Sequence, residues 1–305
     1  MVIYVLIYFS LGLFLFILGM HLIKSGLEAI ALKNAKKIIS KFTNTPLSGM
    51  ITGTFVTFFI QSSSAVSVIT ISLVNSSLMT LQQAVGVILG TNIGTCITAL
   101  LFTFDILDYY PFIGAGGLLL TLIKNMKIRL FGVTIIGFSL VFAGLITMQQ
   151  GFLPLKDSLT VISLLAKTGN NYLSGVAAGA IFTALIQSSS VVTGIIIALA
   201  MQDLLPLPGA IALILGSNIG TCFTAIVASI TATKNAKRVA YAHVILNVFG
   251  VIIFLPFIQP FSLLLQLISP LLVTQVAMAQ IIFNVSSSFL ALPFTNKFTN
   301  FLMKF

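Results

Sequence analysis

The sequence predicts an all-α integral membrane protein made of two inverted repeats, each with a re-entrant helical hairpin and a discontinuous transmembrane helix. Three observations predict it. The first is composition: 7% of the 305 residues are charged and the mean hydropathy is +1.15, whereas soluble domains carry about a quarter charged residues. The apolar runs are long and unbroken, as spanning helices require, and lack the short alternation of a membrane barrel. The second is duplication. Gln61-Ser62-Ser63-Ser64 returns letter for letter as Gln187-Ser188-Ser189-Ser190, 126 positions later (187 − 61). At the same offset Gly90-Thr91-Asn92-Ile93-Gly94-Thr95-Cys96 returns as Gly216-Ser217-Asn218-Ile219-Gly220-Thr221-Cys222, and Leu47-Ser48-Gly49 as Leu173-Ser174-Gly175. The third is charge. Asp105 and Asp108 follow the first copy, whereas Lys234, Lys237 and Arg238 follow the second. Equivalent loops of opposite bias are what inverted repeats require when basic loops stay in the cytoplasm.

Residues 2–23 form the first span. Residues 24–41 carry Lys24, Lys33, Lys36, Lys37 and Lys41 with Glu28, which predicts an amphipathic helix at the membrane interface. The arms 47–61 and 65–77 flank the first Gln-Ser-Ser-Ser. A 15-residue helix reaches about 22 Å, short of the roughly 30 Å hydrocarbon core, so residues 47–77 form a hairpin that returns to its own side. Residues 81–104 are long enough to cross and are interrupted midway by the Gly-Thr-Asn-Ile-Gly-Thr stretch. Residues 109–123 form another span. The pattern then restarts with a span over 129–149, whose Gly137 and Gly144 echo Gly12 and Gly19. An interfacial segment over 151–168, a hairpin over 173–201 and a broken helix over 208–230 follow. Spans over 238–257 and 272–293 close the chain. The organisation is therefore repeat 1 over 1–123, repeat 2 over 124–258, and a final span with a short tail over 259–305.

Each repeat crosses three times on this reading. An odd number inverts the second copy relative to the first. The basic residues of 24–41, 124–129, 234–238 and the C-terminus then share one face, with Lys156 and Lys167 opposite. That face is the cytoplasmic side of a plasma (inner) membrane, which puts the N-terminus outside and the C-terminus inside. A rival topology with parallel repeats sorts the basic residues nearly as well. The opposite bias of the equivalent loops favours inversion.

The net charge of +10 belongs to cytoplasmic loops and does not mark a nucleic-acid partner. Cys96 and Cys222 occupy equivalent positions and read as small packing residues, with neither a disulfide framework nor a metal site behind them. The N-terminus lacks the features of a cleaved signal peptide. An enzyme would need a nucleophile with a base, or metal ligands. His21 and His243 are far apart in sequence, and no carboxylate pair accompanies the serines, so the sequence predicts no enzyme and no cofactor. Non-helical backbone at membrane depth is costly unless it lines a polar cavity or is buried in protein. Helix N-termini attract anions, helix C-termini attract cations, and hydroxyls and amides serve either. Inverted repeats whose breaks meet near the midplane are the plan of a secondary transporter. One isolated triple serine would read as helix packing; two identical copies with identical sequels argue for a site.

The paired Gln-Ser-Ser-Ser motifs, the two Gly-(Thr/Ser)-Asn-Ile-Gly-Thr stretches and Ala242-His243-x-x-x-Asn247 resemble the type II sodium/phosphate cotransporter family, including its bacterial members. The resemblance covers nearly the whole chain. It implies movement of inorganic phosphate across a lipid bilayer with sodium as the coupling ion, at a site where the two hairpin tips meet. It nominates Gln61, Ser62, Ser63, Ser64, Thr91, Asn92, Thr95, Gln187, Ser188, Ser189, Ser190, Ser217, Asn218 and Thr221 as ligands of phosphate and sodium, with His243, Asn247 and Asn284 in support. A homodimer stays open. The sequence departs from the family pattern in two places. Ala279-Gln280-x-x-x-Asn284 has Gln280 where a His is expected, and the chain stops at Phe305 without the regulatory helical domain of many bacterial relatives. Uptake and export therefore both stay open.

Charge favours sodium independently of the resemblance. The hairpins and broken helices hold no Asp, Glu, Arg or Lys before Asp203 closes the second hairpin. Moving a dianion inward against 100 mV costs about 4.6 kcal/mol, so cations must travel with it. Protons would need a titratable carrier, a part that phosphate itself can take, whereas sodium needs only oxygens. His243 and Asn247 lie four apart on one helix face, which suits an interhelical hydrogen bond or a direct or proton-linked role. The alternatives are a transporter or exporter of another oxyanion, and an anion channel.

Overall fold

In the computed structural model residues 2–103 and 109–304 are described; Asp105 and Asp108 lie outside the described residues. The chain folds into α1 (Val2–Phe42), α2 (Pro46–Ile60), α3 (Ser63–Asn75), α4 (Leu81–Leu101), α5 (Tyr110–Thr121), α6 (Met126–Phe152), α7 (Leu159–Asn170), α8 (Tyr172–Ile186), α9 (Ser189–Ala200), α10 (Leu207–Ser229), α11 (Lys234–Phe254), α12 (Ile258–Ile268), α13 (Leu272–Ala291) and α14 (Thr295–Leu302), with no strand among the described residues. Six of these helical runs are long and apolar enough to cross a membrane.

Local sequence sets the helix starts. Thr45 caps α2 by accepting from the Ser48 N–H while the Ser48 hydroxyl accepts from the Thr45 N–H, and Pro46 opens the first turn. Asn171, at the equivalent position, caps α8 through the Ser174 N–H. Thr80 and Gln83 form the same reciprocal box at the start of α4. These caps satisfy backbone donors that a helix leaves free at its first turn.

Glycines show how the repeats are related. Gly12 on α1 abuts Gly144 and Met148 on α6, Gly19 abuts Gly137 and Val141, and Gly26 abuts Leu130 and Thr134. One numbering rises as the other falls, so the first spans of the two repeats lie antiparallel, face to face along small residues. That is inversion read directly from contacts. Within each repeat the first hairpin arm and the long helix run in the same direction: Gly86, Gly90 and Gly94 abut Pro46, Met50 and Thr54, while Gly216 and Gly220 abut Val176 and Ala180. α4 and α10 form the centre, with 72% and 61% of their apolar windows buried against 17% for α1.

The structure departs from the sequence expectations in four places. α4 and α10 run without interruption through the Gly-(Thr/Ser)-Asn-Ile-Gly-Thr stretches. The glycines there are contact points: a Cβ on Gly90 would stand 2.1 Å from the Met50 carbonyl oxygen, and one on Gly216 would stand 2.0 Å from that of Val176. The threonine hydroxyls and the Asn218 amide of these stretches bond back within the helix, Thr91 to Ile88 O, Thr95 to Asn92 O, Asn218 to Ile214 O and Thr221 to Ser217 O. The second departure is α1, which carries the basic segment as a continuation of the first span. No Pro separates the two, and Ser25-Gly26 stays helical, with Gly26 packed against Leu130 and Thr134. Third, α5 has 12 residues, about 18 Å, and is shorter than a full span; it lies antiparallel against α6 through Gly117 on Gly132 and Ser139 on Tyr110 O. Fourth, α12 and α14 stand outside the predicted spans. The hairpins are as short as expected: α2 and α3 have 15 and 13 residues, α8 and α9 have 15 and 12. The protein is an all-α membrane protein of two inverted repeats, each carrying a re-entrant hairpin.

Candidate ion-binding site

The two tips have one geometry. Gln61 ends α2 in the left-handed region, at φ 55° and ψ 30°, and Gln187 ends α8 at φ 58° and ψ 25°. Ser62 and Ser188 follow in extended conformation and cap α3 and α9 by accepting from the N–H of Ala65 and Val191. A glutamine in the left-handed region costs on the order of 1–3 kcal/mol and persists only where its surroundings fix it. Gln61 is fixed on both sides: its Nε2 donates to Phe58 O at 2.6 Å, and its Oε1 accepts from the Thr98 hydroxyl at 2.7 Å. The chain reverses at each tip because the left-handed residue ends one helix while the extended serine begins the next.

Both tips open onto one cavity of about 40 Å³. Its lining is Gln61, Ser62, Ser63, Ser64, Thr95, Gln187, Ser188, Ser189, Ser190 and Thr221. A single water needs about 10–15 Å³, so the space holds only a few small groups. Two larger cavities are lined mostly by apolar side chains, whereas this one is lined wholly by polar side chains. Two helix starts, α3 and α9, and two helix ends, α2 and α8, converge on it. The backbone N–H groups of Ser63, Ser64, Ser189 and Ser190 lie in first turns, where a helix offers no internal acceptor. The site therefore presents donor ends to an anion and carbonyl ends with hydroxyls to a cation. No charged side chain is among its lining residues.

The repeats are tied together at this point. The Thr224 hydroxyl on α10 donates to Ser64 Oγ on α3 at 2.9 Å. Thr98, 126 positions earlier, instead holds Gln61 of its own repeat. Sequence reasoning missed both threonines, although they continue the duplication only two residues beyond the cysteines.

Of the fourteen nominated ligands, four stand away from the cavity lining. The Thr91 hydroxyl bonds within its helix, and Ser217 Oγ accepts from Thr183 at 2.9 Å. Asn218 donates to Ile214 O. Asn92 Nδ2 donates to Asn247 Oδ1 at 3.2 Å, and Asn247 Nδ2 donates to Cys222 Sγ and to His243 O. These contacts join α4, α10 and α11 behind the tips. Asn284 on α13 donates to Gln280 O, and Gln280 Oε1 accepts from the Thr193 hydroxyl on α9. His243 and Asn284 are fully buried, and both ring nitrogens of His243 and Oδ1 of Asn284 lack a protein partner. Among the described residues no cluster of His, Cys, Asp and Glu forms a metal centre.

Comparison with known proteins agrees with this architecture. The Na+/Pi-cotransporter family model matches twice, over residues 15–150 and 157–292. The chain is 32% identical over 268 residues to the uncharacterised protein YqeW of Bacillus subtilis, covering 87% of each. It is 25% identical over 246 residues to YjbB of Escherichia coli (strain K12), whose name assigns it provisionally to inorganic phosphate export; the match covers 80% of this chain and 45% of that one. The chain thus spans less than half the length of that relative. A shorter match, 36% identical over 88 residues, joins 28% of this chain to 13% of the human sodium-dependent phosphate transport protein 2B. No solved structure matches. Two successive matches account for both repeats and nearly all of the sequence, and on that ground the chain belongs to the Na+/Pi-cotransporter family, a family of transporters and not of enzymes.

Proposed function

We propose that this protein moves inorganic phosphate across the plasma membrane together with sodium, and that both ions bind where the two Gln-Ser-Ser-Ser tips meet. The observation that carries this reading is the shared cavity: its lining draws on both repeats and contains only hydroxyl and amide side chains. A phosphate oxyanion there meets first-turn N–H groups and hydroxyls. Sodium meets hydroxyl, amide and carbonyl oxygens. Each ion offsets the other's charge in a small cavity that offers hydroxyl and amide groups in place of bulk water. Inversion gives the site two equivalent approaches, one from each side of the membrane. The basic segments at 124–129, 234–238 and the C-terminus face the cytoplasm on this reading, with the N-terminus outside. Asn92 and Cys222 meet Asn247, which ties α4 and α10 to α11 behind the tips, and Ser217 ties α10 to α8 through Thr183.

Direction follows from the gradients, and inward and outward movement use the same site. Names among the relatives support both, one for export and one for sodium-dependent transport. The test is radiolabelled phosphate flux in proteoliposomes at fixed pH and membrane potential. Flux is expected to rise with an imposed sodium gradient and to fall to background when potassium replaces sodium. Equal flux in the two salts would remove sodium from the account. Saturation with phosphate concentration separates a transporter from an anion channel in the same assay.

A further inference from the structure

We propose that the groove between α11, α13 and α14 is a binding site for one acyl chain of an anionic phospholipid, with the headgroup held at the basic ends of α11 and α14. The groove measures about 560 Å³, within the range of small-molecule sites. Its walls are apolar, with Phe249, Phe294, Phe298 and Phe301 around it. Ser287 is the one hydroxyl in the lining, and it already donates to Asn284 O. Along α11 the lining runs from Ile245 to Phe254, about 13 Å of continuous apolar slot, which is long and narrow as an acyl chain is. Gly250 makes the depth: a side chain there would project into the slot, and a Cβ would meet Phe283 and Ser287 only at 3.4 Å.

Charge identifies the class of lipid. Asp203 is the last acidic residue in the sequence, and Lys234, Lys237, Arg238, Lys297 and Lys304 follow it. Arg238 at the start of α11 donates to Met303 O beyond the end of α14 at 3.0 Å. That contact gathers the basic ends of both helices at one end of the groove. A neutral lipid would fit the slot and leave this cluster without a counter-charge. Each Lys or Arg near an anionic headgroup favours it about fivefold. The groove lies on the outward side of α11 and α13. Gly250 and Phe254 follow His243 and Asn247 by two turns on one stripe of α11, and Asn247 reaches α4 behind the tips, so an occupied groove braces the helices that support the site.

The experiment exchanges purified protein in micelles with equal amounts of phosphatidylglycerol and phosphatidylcholine of identical chains, and reads retained lipid by native mass spectrometry. The expected result is retention of phosphatidylglycerol over phosphatidylcholine by fivefold or more. Gly250→Leu or Ala291→Leu, each filling the groove, is expected to abolish retention, while Lys297→Gln with Lys304→Gln lowers the preference and keeps the binding. Equal retention of the two lipids by the unaltered protein would overturn the headgroup assignment. Unchanged retention in both filled variants, with unfolding temperatures close to that of the unaltered protein, would overturn the groove. So would a dimer that dissociates in both filled variants, because a second copy would then be the occupant.

Discussion

Ser63→Ala and Ser189→Ala are each expected to raise the phosphate or sodium concentration for half-maximal flux ten- to a hundredfold. Ser63 is 5% exposed and opens α3 at the cavity; Ser189 opens α9 at the same cavity. A hydrogen bond to a charged partner contributes about 1.5–3 kcal/mol. Water cannot substitute for the lost hydroxyl where the site has room for only a few small groups. The double variant is expected to lose less than the product of the two single losses, since both serines serve one network. Ser76→Ala, at the exposed end of α3, is the control and leaves both half-saturations unchanged. Flux normalised to protein reconstituted checks each value. Strict additivity between the two tips would mean two separate sites.

Gly216→Ala and Gly90→Ala are expected to lower the unfolding temperature sharply and to reduce the yield of folded protein. The added methyl would stand 2.0 Å from Val176 O and 2.1 Å from Met50 O. Both contacts are to backbone, so the hairpin arm itself must move. Overpacking of this kind costs typically 1–3 kcal/mol and sometimes more. Because the moved arm ends in the tip, the surviving protein also loses ion affinity. Gly116→Ala is the matched control, since a Cβ there meets nothing within 4 Å. Thermal unfolding followed by size-exclusion chromatography reads the difference. Equal melting of Gly216→Ala and Gly116→Ala would contradict the close approach of α8 to α10.

The hairpins were legible because two physical limits act on them at once. Fifteen apolar residues cannot cross a bilayer, and a polar quartet at the end of such an arm must be buried by something. A duplicate 126 residues later showed what that something is. The glycines were not legible in the same way. In a membrane helix Gly-x-x-x-Gly serves either to free backbone for a ligand or to let another backbone approach, and Gly90 and Gly94 carry no local mark that separates the two. Only the position of the Met50 and Thr54 carbonyls decides it. Asn92 was nominated through the resemblance, and sequence alone gives no sign that its amide reaches Asn247 on α11, a partner 155 residues away. Thr98 and Thr224 escaped notice for a simpler reason. Side-chain contacts to Gln61 and Ser64 depend on how the helices pack, and a threonine inside an apolar run reads as packing until they are placed.

If the two inverted tips form one site for phosphate with sodium, ions bound there shield both tips together. Ser62→Cys and Ser188→Cys each place one thiol at the cavity, while the native Cys96 and Cys222 are buried. The rate of modification by a small thiol reagent is measured with phosphate in sodium, phosphate in potassium, and sodium alone. Phosphate in sodium is expected to slow modification at both tips together, with the same half-maximal concentration, and phosphate in potassium to slow it at neither. Protection confined to one tip, or protection by phosphate that is indifferent to the cation, would contradict the account.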